Sequence, residues 1–113
     1  RLIAFGSTLF LAPRELPELK GLRVLRAGLE LGEVLKNRFE PAHAWALWMK
    51  APEHGVSFPA ASDALRRYLA GETLQDTRRG WMPVCVDGYS LGWAKGDGTI
   101  LKNHYPKALR RPL

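Results

Sequence analysis

The dipeptide Asp87-Gly88 lies between two mainly apolar segments, WMPVCV before it and YSLGWA after it. A two-residue loop of this kind closes a tight β-hairpin, because Asp and Gly tolerate the positive φ angles that such turns require. The sequence therefore predicts antiparallel strands over residues 81–87 and 89–94. Pro83 has no backbone N–H, so we expect the first of these strands to lie at a sheet edge or to carry a bulge.

Glycine and proline divide the rest of the chain into similarly short segments. Alternating or β-branched apolar residues between such breaks are typical of strands, and a glycine inside a strand indicates a bend or a bulge. Two strands with a turn at Gly6-Ser7 are predicted in residues 2–12, and strands bent at Gly28 and Gly32 are predicted in residues 22–35. Shorter strands are predicted at 56–58 and, after a turn at 95–98, at 99–102. A single helical turn is predicted between Pro13 and Leu19.

Two helices are predicted in the middle of the chain. Pro41 suits a first helical position, and Trp45 and Trp48 recur at helical spacing, so a helix is expected over residues 41–50 with both tryptophans in the core. Ser62 is a capping residue for a second helix that reaches about Ala70 and is closed by Gly71. The expected fold class is α+β, a small mixed β pseudo-barrel with two helices.

Length and composition are those of one folded domain, here residues 1–113. The chain has 113 residues, of which 46% are hydrophobic and 25% charged, which argues against disorder. Because it begins at Arg1 and not at Met, we expect it to be a fragment of a larger protein. No apolar run is long enough to span a membrane. The single cysteine, Cys85, permits no internal disulfide, which favours the cytoplasm.

The net charge of +6 and the pI of about 9.9 are concentrated in the last third of the chain. Residues 78–113 hold seven Lys or Arg and two Asp or Glu, whereas residues 1–77 are nearly neutral. Cations beside aromatic and amide side chains are typical of RNA-binding surfaces. The alternatives are a solvated surface that serves only solubility and an acidic partner other than nucleic acid. The candidate RNA-binding residues are Arg78, Arg79, Lys95, Lys102, Asn103, His104, Tyr105, Lys107, Arg110 and Arg111.

The sequence gives no sign of catalysis, a metal site or a nucleotide cofactor in this chain. The three histidines are scattered, and Cys85 lies in mid-strand as a small buried residue. The glycines at 96 and 98 lie between strands rather than between a strand and a helix. A second basic set, Arg23, Arg26, Lys36 and Arg38, is interleaved with glutamates, so local ion pairs are equally expected. Trp81 and Trp93 could pack against each other across the hairpin.

Three motifs occur in order in the C-terminal half: GWMPV with VDGY at 80–89, LGWAK at 91–95 and LKNHYPK at 101–107. Upstream lie LRAGL at 25–29, LGE at 31–33 and RFEPAHA at 38–44. Together they closely resemble the C-terminal region of RsmF-type RNA 5-methylcytosine methyltransferases, of the Sun-type family that methylates ribosomal RNA. The resemblance covers most of the chain and is weakest over residues 51–61.

The resemblance implies a PUA-like fold that binds ribosomal RNA beside a catalytic domain of the same polypeptide. That domain uses S-adenosylmethionine and a pair of cysteines, one of them in a Pro-Cys dipeptide. Cys85 follows Val84 instead, so no catalytic role is carried over and no cofactor is expected in this segment. RNA contact is carried over to Lys95, Lys102, Asn103, His104 and Lys107. The alternative function is a scaffolding module that packs on the catalytic domain without touching RNA.

Overall fold

The computed structural model of the chain describes residues 1–12, 28–50 and 54–112. The chain divides into two compact units, Arg1–Trp45 and Ala46–Leu113. The strands are β1 Leu2–Phe5, β2 Thr8–Leu11, β3 Leu29–Leu35, β4 Arg38–Pro41, β5 Val56–Phe58, β6 Leu74–Gln75, β7 Arg79–Val86, β8 Tyr89–Asp97 and β9 Ile100–Asn103. The helices are α1 His43–Trp48 and α2 Asp63–Leu69, with a 3₁₀ helix at Lys107–Leu109.

The first unit contains an antiparallel sheet in the order β1-β2-β3-β4. The predicted turn at Gly6-Ser7 is confirmed, and Gly6 has a positive φ of 58°. The register of β2 against β3 shifts between Leu9 and Phe10, opposite Gly32, so the predicted glycine bulge is also confirmed. The helical turn predicted at 13–19 and the strand residues 22–27 lie outside the described residues.

The second unit contains a mixed sheet in the order β5-β7-β8-β9-β6. β5 runs parallel to β7, with Val56 opposite Val84, and the other pairs are antiparallel. The described strands and two α-helices confirm the α+β fold class with mixed strand directions. Because the described residues form two units, a single domain over residues 1–113 stays a prediction.

The hairpin at Asp87-Gly88 is confirmed, with φ angles of 49° and 82° at its two turn residues. β5 pairs only with Val84–Val86 of β7, so the part of the strand that contains Pro83 is paired on one side alone, with β8, as expected for an edge position. The second expectation for Pro83 holds: the β7–β8 register shifts between Val84 and Cys85, next to the proline. This bulge decides which β8 residues lie beside those of β7 on the outer face of the sheet.

The turn predicted at 95–98 is wrong, because β8 continues to Asp97 and the chain reverses after it. Gly96 is a strand residue opposite Gly80, and a Cβ atom there would overlap the carbonyl oxygen of Arg78. Its glycine therefore permits close backbone approach and does not mark a turn. The two-residue strand β6 was not predicted, since two residues carry no periodic pattern.

Both predicted helices are present, each somewhat shorter than expected. The Ser62 cap is confirmed: its Oγ accepts a 3.2 Å hydrogen bond from the N–H of Leu65. Trp48, however, is 60% exposed, so its assignment to the core is wrong. A six-residue helix has few inward positions, and in α1 the buried one is Ala46. Trp45 is half-buried and packs edge-on against Phe39 at 6.4 Å between ring centroids.

The core of the second unit lies between α2 and the inner face of the sheet. Tyr68 of α2 is fully buried there, and its hydroxyl reaches the backbone of β8 at Trp93. On the opposite face of the sheet, Cys85 and Trp93 are also buried, whereas Arg79 and Lys102 are exposed. The core residues are Val56, Tyr68, Leu74, Met82, Val84, Ala94 and Leu101.

Candidate nucleic-acid interface

The outer face of the sheet carries a row of three register partners. Trp81 of β7 lies opposite Lys95 of β8, which lies opposite Lys102 of β9. Direct cross-strand partners project on the same side of a sheet, and their chain neighbours on the other side enter the core. We call the outward set Arg79, Trp81, Lys95, Lys102 and His104 the basic face.

Aromatic contacts hold the centre of the basic face. The Trp81 ring meets His104 edge-on at 4.5 Å and Trp93 at 6.4 Å between centroids. The predicted packing of Trp81 against Trp93 is thus confirmed. The Nζ atom of Lys95 lies 5.2 Å from the centroid of the Trp81 ring, within the range of a cation–π interaction. Trp81 is half-buried and His104 is exposed.

Arg79 lies at one end of the basic face, across the strands from Asp97. The Asp97 carboxylate does not pair with it: one oxygen accepts the N–H groups of Ile100 at 3.0 Å and Thr99 at 2.9 Å. These two hydrogen bonds, together with the nearby charge of Lys102, hold the pKa of Asp97 below its usual value. The Arg79 guanidinium instead lies along Gly98, where a Cβ atom would approach its terminal nitrogen to 2.7 Å.

The cations of the basic face form no ion pair in the described part of the chain, although the charge of Lys102 lies near enough to Asp97 to help lower the pKa of that carboxyl. Within residues 1–12, 28–50 and 54–112, the ion pairs involve Arg38, Arg66, Arg67 and Arg78. Arg79, Lys95 and Lys102 are absent from these pairs. Three cations on one side of the sheet, beside the half-buried Trp81 and the exposed His104, can therefore meet an anionic partner.

Arg78 differs from its neighbour Arg79. Its guanidinium contacts the carboxylate of Asp76, with the shortest distance 2.9 Å, and donates a 3.0 Å hydrogen bond to the carbonyl oxygen of Gly55. The hydrogen bonds with Arg78 hold the pKa of Asp76 below its usual value. The charge of Arg78 is thus paired, and we leave it out of the basic face.

Asn103 and Tyr105 have structural contacts. The Asn103 amide donates to the carbonyl oxygens of Tyr68 at 2.8 Å and Glu72 at 2.9 Å, and its oxygen accepts the N–H of Tyr105 at 2.8 Å. The Tyr105 ring packs against Tyr68 at 5.4 Å and borders the core. These contacts join β9 to the end of α2 and favour a structural role for both residues.

Arg110 and Arg111 lie beside the C-terminal end of α2 and not on the basic face. The Arg110 guanidinium lies over Gly71 and donates a 3.1 Å hydrogen bond to the carbonyl oxygen of Tyr105. The Arg111 N–H donates to the carbonyl oxygen of Leu69, 2.8 Å away. Because α2 covers the inner face of the sheet, the ten predicted residues do not form a single surface. Lys107 is exposed in the 3₁₀ helix.

Other predicted features have plain structural explanations. Cys85 is buried, and burial raises the pKa of its thiol. Of the second basic set, Arg38 lies 3.5 Å from Glu40 in an exposed ion pair, which is one of the two alternatives. Arg23 and Arg26 lie outside the described residues. Where the chain is described, no cluster of His, Cys, Asp or Glu suits a metal ion, and no helix is long and apolar enough to cross a membrane.

Gly96 and Gly98 do not form the glycine-rich turn that commonly holds a nucleotide-type cofactor. A nucleotide-type cofactor is usually held by a glycine-rich turn that leads from a strand into a helix. Gly96 lies inside β8, and Gly98 lies in the turn between β8 and β9. No step of cofactor chemistry is therefore assigned to these residues.

Comparison with known proteins gives two consecutive matches. Residues 1–49 match the model of the RsmF rRNA methyltransferase first C-terminal domain, and residues 56–111 match that of the methyltransferase RsmF PUA domain. Two similar curated proteins are named ribosomal RNA small subunit methyltransferase F. The one from Aeromonas salmonicida (strain A449) is 30% identical over 98% of this chain, and the one from Aeromonas hydrophila subsp. hydrophila is 31% identical over 91%. The matched chain spans 24% and 22% of their lengths.

Proposed function

Because the chain belongs to the RsmF rRNA methyltransferase family, of which it carries the C-terminal region, we propose that its second unit binds ribosomal RNA. The bound RNA is held for methylation at carbon 5 of cytosine by a catalytic domain elsewhere in the same polypeptide. That domain binds S-adenosylmethionine, and the reaction takes place in the cytoplasm. The segment itself binds and orients RNA and performs no chemical step.

The observation that supports this proposal is the row Trp81, Lys95 and Lys102 with Arg79 at its end. Its three cations have no ion pair with the described carboxylates, so they can displace counterions from a phosphate backbone. The rings of Trp81 and His104 lie next to each other, with Lys95 beside Trp81, and aromatic rings of this kind can stack with RNA bases. A surface chosen only for solubility needs no such interleaving.

Salt titration of RNA binding tests the proposal. Each phosphate contact with single-stranded RNA contributes about 0.7 to the slope of log affinity against log salt. The double variant Lys95→Ala/Lys102→Ala should therefore reduce the slope by about 1.4 between roughly 50 and 200 mM salt. Fluorescence anisotropy with a labelled ribosomal RNA fragment measures this, and circular dichroism checks that the variant is folded.

A matched control is the double variant Arg66→Ala/Arg67→Ala, which removes the same charge from α2 on the other side of the sheet. Both arginines contact Asp63, at 3.2 and 3.0 Å. We expect this variant to keep a slope close to that of the unmodified chain. Equal flattening by both double variants would contradict the assignment of the basic face.

Exposed apolar side chains support the second candidate function, a scaffold that packs on the catalytic domain. Leu47, Trp48 and Tyr89 are 58%, 60% and 71% exposed. An exposed tryptophan and tyrosine are typical of protein interfaces. Undetectable RNA binding by the unmodified chain at low salt would favour this function over the first.

A further inference from the structure

A cavity of about 470 Å³ opens at the Arg79–Trp81 end of the basic face. Its volume lies in the range of pockets that hold small organic ligands, about 300–1,000 Å³. Two of its residues, Arg79 and Trp81, also belong to the basic face, so an RNA strand on that face would pass its mouth. The lining residues are His54, Gly55, Arg78, Arg79, Trp81 and Met82.

The aromatic wall of this cavity is held in position before any ligand arrives. The Trp81 ring is braced edge-on by His104 and by the buried Trp93, at 4.5 and 6.4 Å between centroids. Bracing on two sides reduces the side-chain entropy that binding would otherwise cost. A fixed indole ring beside phosphate-binding cations is a suitable surface for stacking a nucleobase.

The polar wall of the cavity is equally fixed. Asp76 and the carbonyl oxygen of Gly55 hold the Arg78 guanidinium, so this planar group is oriented at the cavity edge. Arg79 remains available for the phosphate that precedes or follows the base. Gly55 packs closely against β7: a Cβ atom at Gly55 would lie 2.8 Å from the carbonyl oxygen of Pro83. At this point the cavity wall therefore consists of main-chain atoms.

We propose that this cavity accommodates one unpaired nucleobase of the RNA, stacked on Trp81, with its phosphate at Arg79. The inference rests on the proposed RNA-binding function and narrows it to RNA that is single-stranded at the point of contact. A base in a duplex is stacked on its neighbours and cannot enter the cavity. The second unit would thus distinguish loops and bulges from continuous helix.

The test compares three RNA probes with the 113-residue chain: a single strand, the same strand paired as a blunt duplex, and the single strand with one abasic position. Stacking of one base on an aromatic side chain is expected to change affinity by about fivefold or more. We therefore expect the single strand to bind at least about fivefold more tightly than the duplex. An abasic position placed at the cavity should remove most of that preference.

Two variants complete the test. Trp81→Leu should lose the preference for single strands, whereas Trp48→Leu, which removes an exposed tryptophan elsewhere, should keep it. If Trp81→Leu does not fold, Trp81→Phe retains a ring and should keep a reduced preference. A fluorescent purine analogue in the single strand gives a second measurement, because stacking on Trp81 should quench it.

The outcomes separate the two proposals. Salt-dependent binding that is equal for the single strand, the duplex and the abasic strand would overturn the base cavity and leave the basic face intact. Absence of RNA binding at low salt would overturn both. A quenched analogue together with loss of preference in Trp81→Leu would support both.

Discussion

The buried hydroxyl of Tyr68 donates a 2.8 Å hydrogen bond to the carbonyl oxygen of Trp93. Tyr68 belongs to α2, and Trp93 lies on β8 with its ring against Trp81. Burial raises the pKa of Tyr68 above its ordinary value, so the hydroxyl keeps its proton and remains a donor. The helix is thereby joined to the strand that supports the basic face.

Tyr68→Phe should lower the free energy of unfolding by about 1 kcal/mol, because it removes a buried hydrogen bond. The N–H of His104 also donates to the Trp93 carbonyl oxygen, at 3.1 Å, which limits the loss. Urea unfolding measures the change. Tyr89→Phe is the matched control, since Tyr89 is 71% exposed and its hydroxyl should contribute little. Equal destabilisation by the two variants would contradict this account.

Gly92→Ala should destabilise the second unit by about 1–3 kcal/mol through overpacking. A Cβ atom at Gly92 would overlap the Tyr68 hydroxyl and approach Cδ1 of Tyr105 to 3.1 Å. In the double variant Gly92→Ala/Tyr68→Phe the overlapping oxygen is absent. The loss of unfolding free energy in the double variant should therefore be smaller than the sum of the two single losses, by about 0.5 kcal/mol or more in a double-mutant cycle. If the two losses of unfolding free energy are strictly additive, the contact with the Tyr68 hydroxyl is not the cause of the destabilisation by Gly92→Ala.

Asn103→Ala should cost about 2 kcal/mol of unfolding free energy while leaving the RNA affinity of folded molecules unchanged. The reason is that the amide joins β9 to the backbone of Tyr68 and Glu72. Stability is measured by urea unfolding and affinity by anisotropy at a temperature where the variant is folded. If the Asn103→Ala variant is stable but binds RNA much more weakly, Asn103 contacts RNA and its assignment to a purely structural role is wrong.

Arg79→Ala should reduce the salt slope of RNA binding by about 0.7, one phosphate contact. Arg78→Ala removes the same charge one residue away and is the matched control. Because Arg78 is paired with Asp76, its loss should change the slope less. The same anisotropy titration serves both variants, and a larger effect at Arg78 would reverse the assignment of these two arginines.

Asp97 should contribute a pH-dependent part of the stability. Its pKa is depressed in the folded protein below the ordinary value of 3.8, so its stabilisation is present above that value and is lost as the pH falls through the folded pKa. Asp97→Asn keeps an acceptor oxygen but cannot titrate. Between about pH 5 and pH 2 the unmodified chain should therefore lose more stability than the variant. Parallel pH profiles would contradict this role.

The sequence predicts most of the strands and both helices, because turn residues such as Asp87-Gly88 and the Ser62 cap act locally. It does not predict which residues share a face of the β7–β8 pair. Counted from the turn without a bulge, Trp81 would lie opposite Ala94, and Lys95 would point into the core. The one-residue shift after Val84 brings Lys95 opposite Trp81 instead. Trp81 was accordingly missed as a candidate site residue.

Long-range contacts explain the remaining differences. Asn103 looks like an RNA-reading amide in the sequence because its hydrogen-bond partners are more than 30 residues away. The charge of Arg78 looks available until the fold places it against Asp76 and Gly55. A count of cations therefore points to the last third of the chain, and the fold shows which of those cations are paired with carboxylates or backbone.

In the second sheet, with the order β5-β7-β8-β9-β6, the two edge strands follow each other in the chain. Its two outermost strands, Val56–Phe58 and Leu74–Gln75, come from one continuous stretch with α2 between them. This segment, with α2 on the inner face of the sheet, therefore connects the two edges of the β7–β8–β9 meander and pairs with it at each edge. Because β5 and β6 are joined through α2, separation of one edge strand should also weaken the pairing of the other. We therefore expect the strands that carry Trp81, Lys95 and Lys102 to separate only when the whole second unit unfolds.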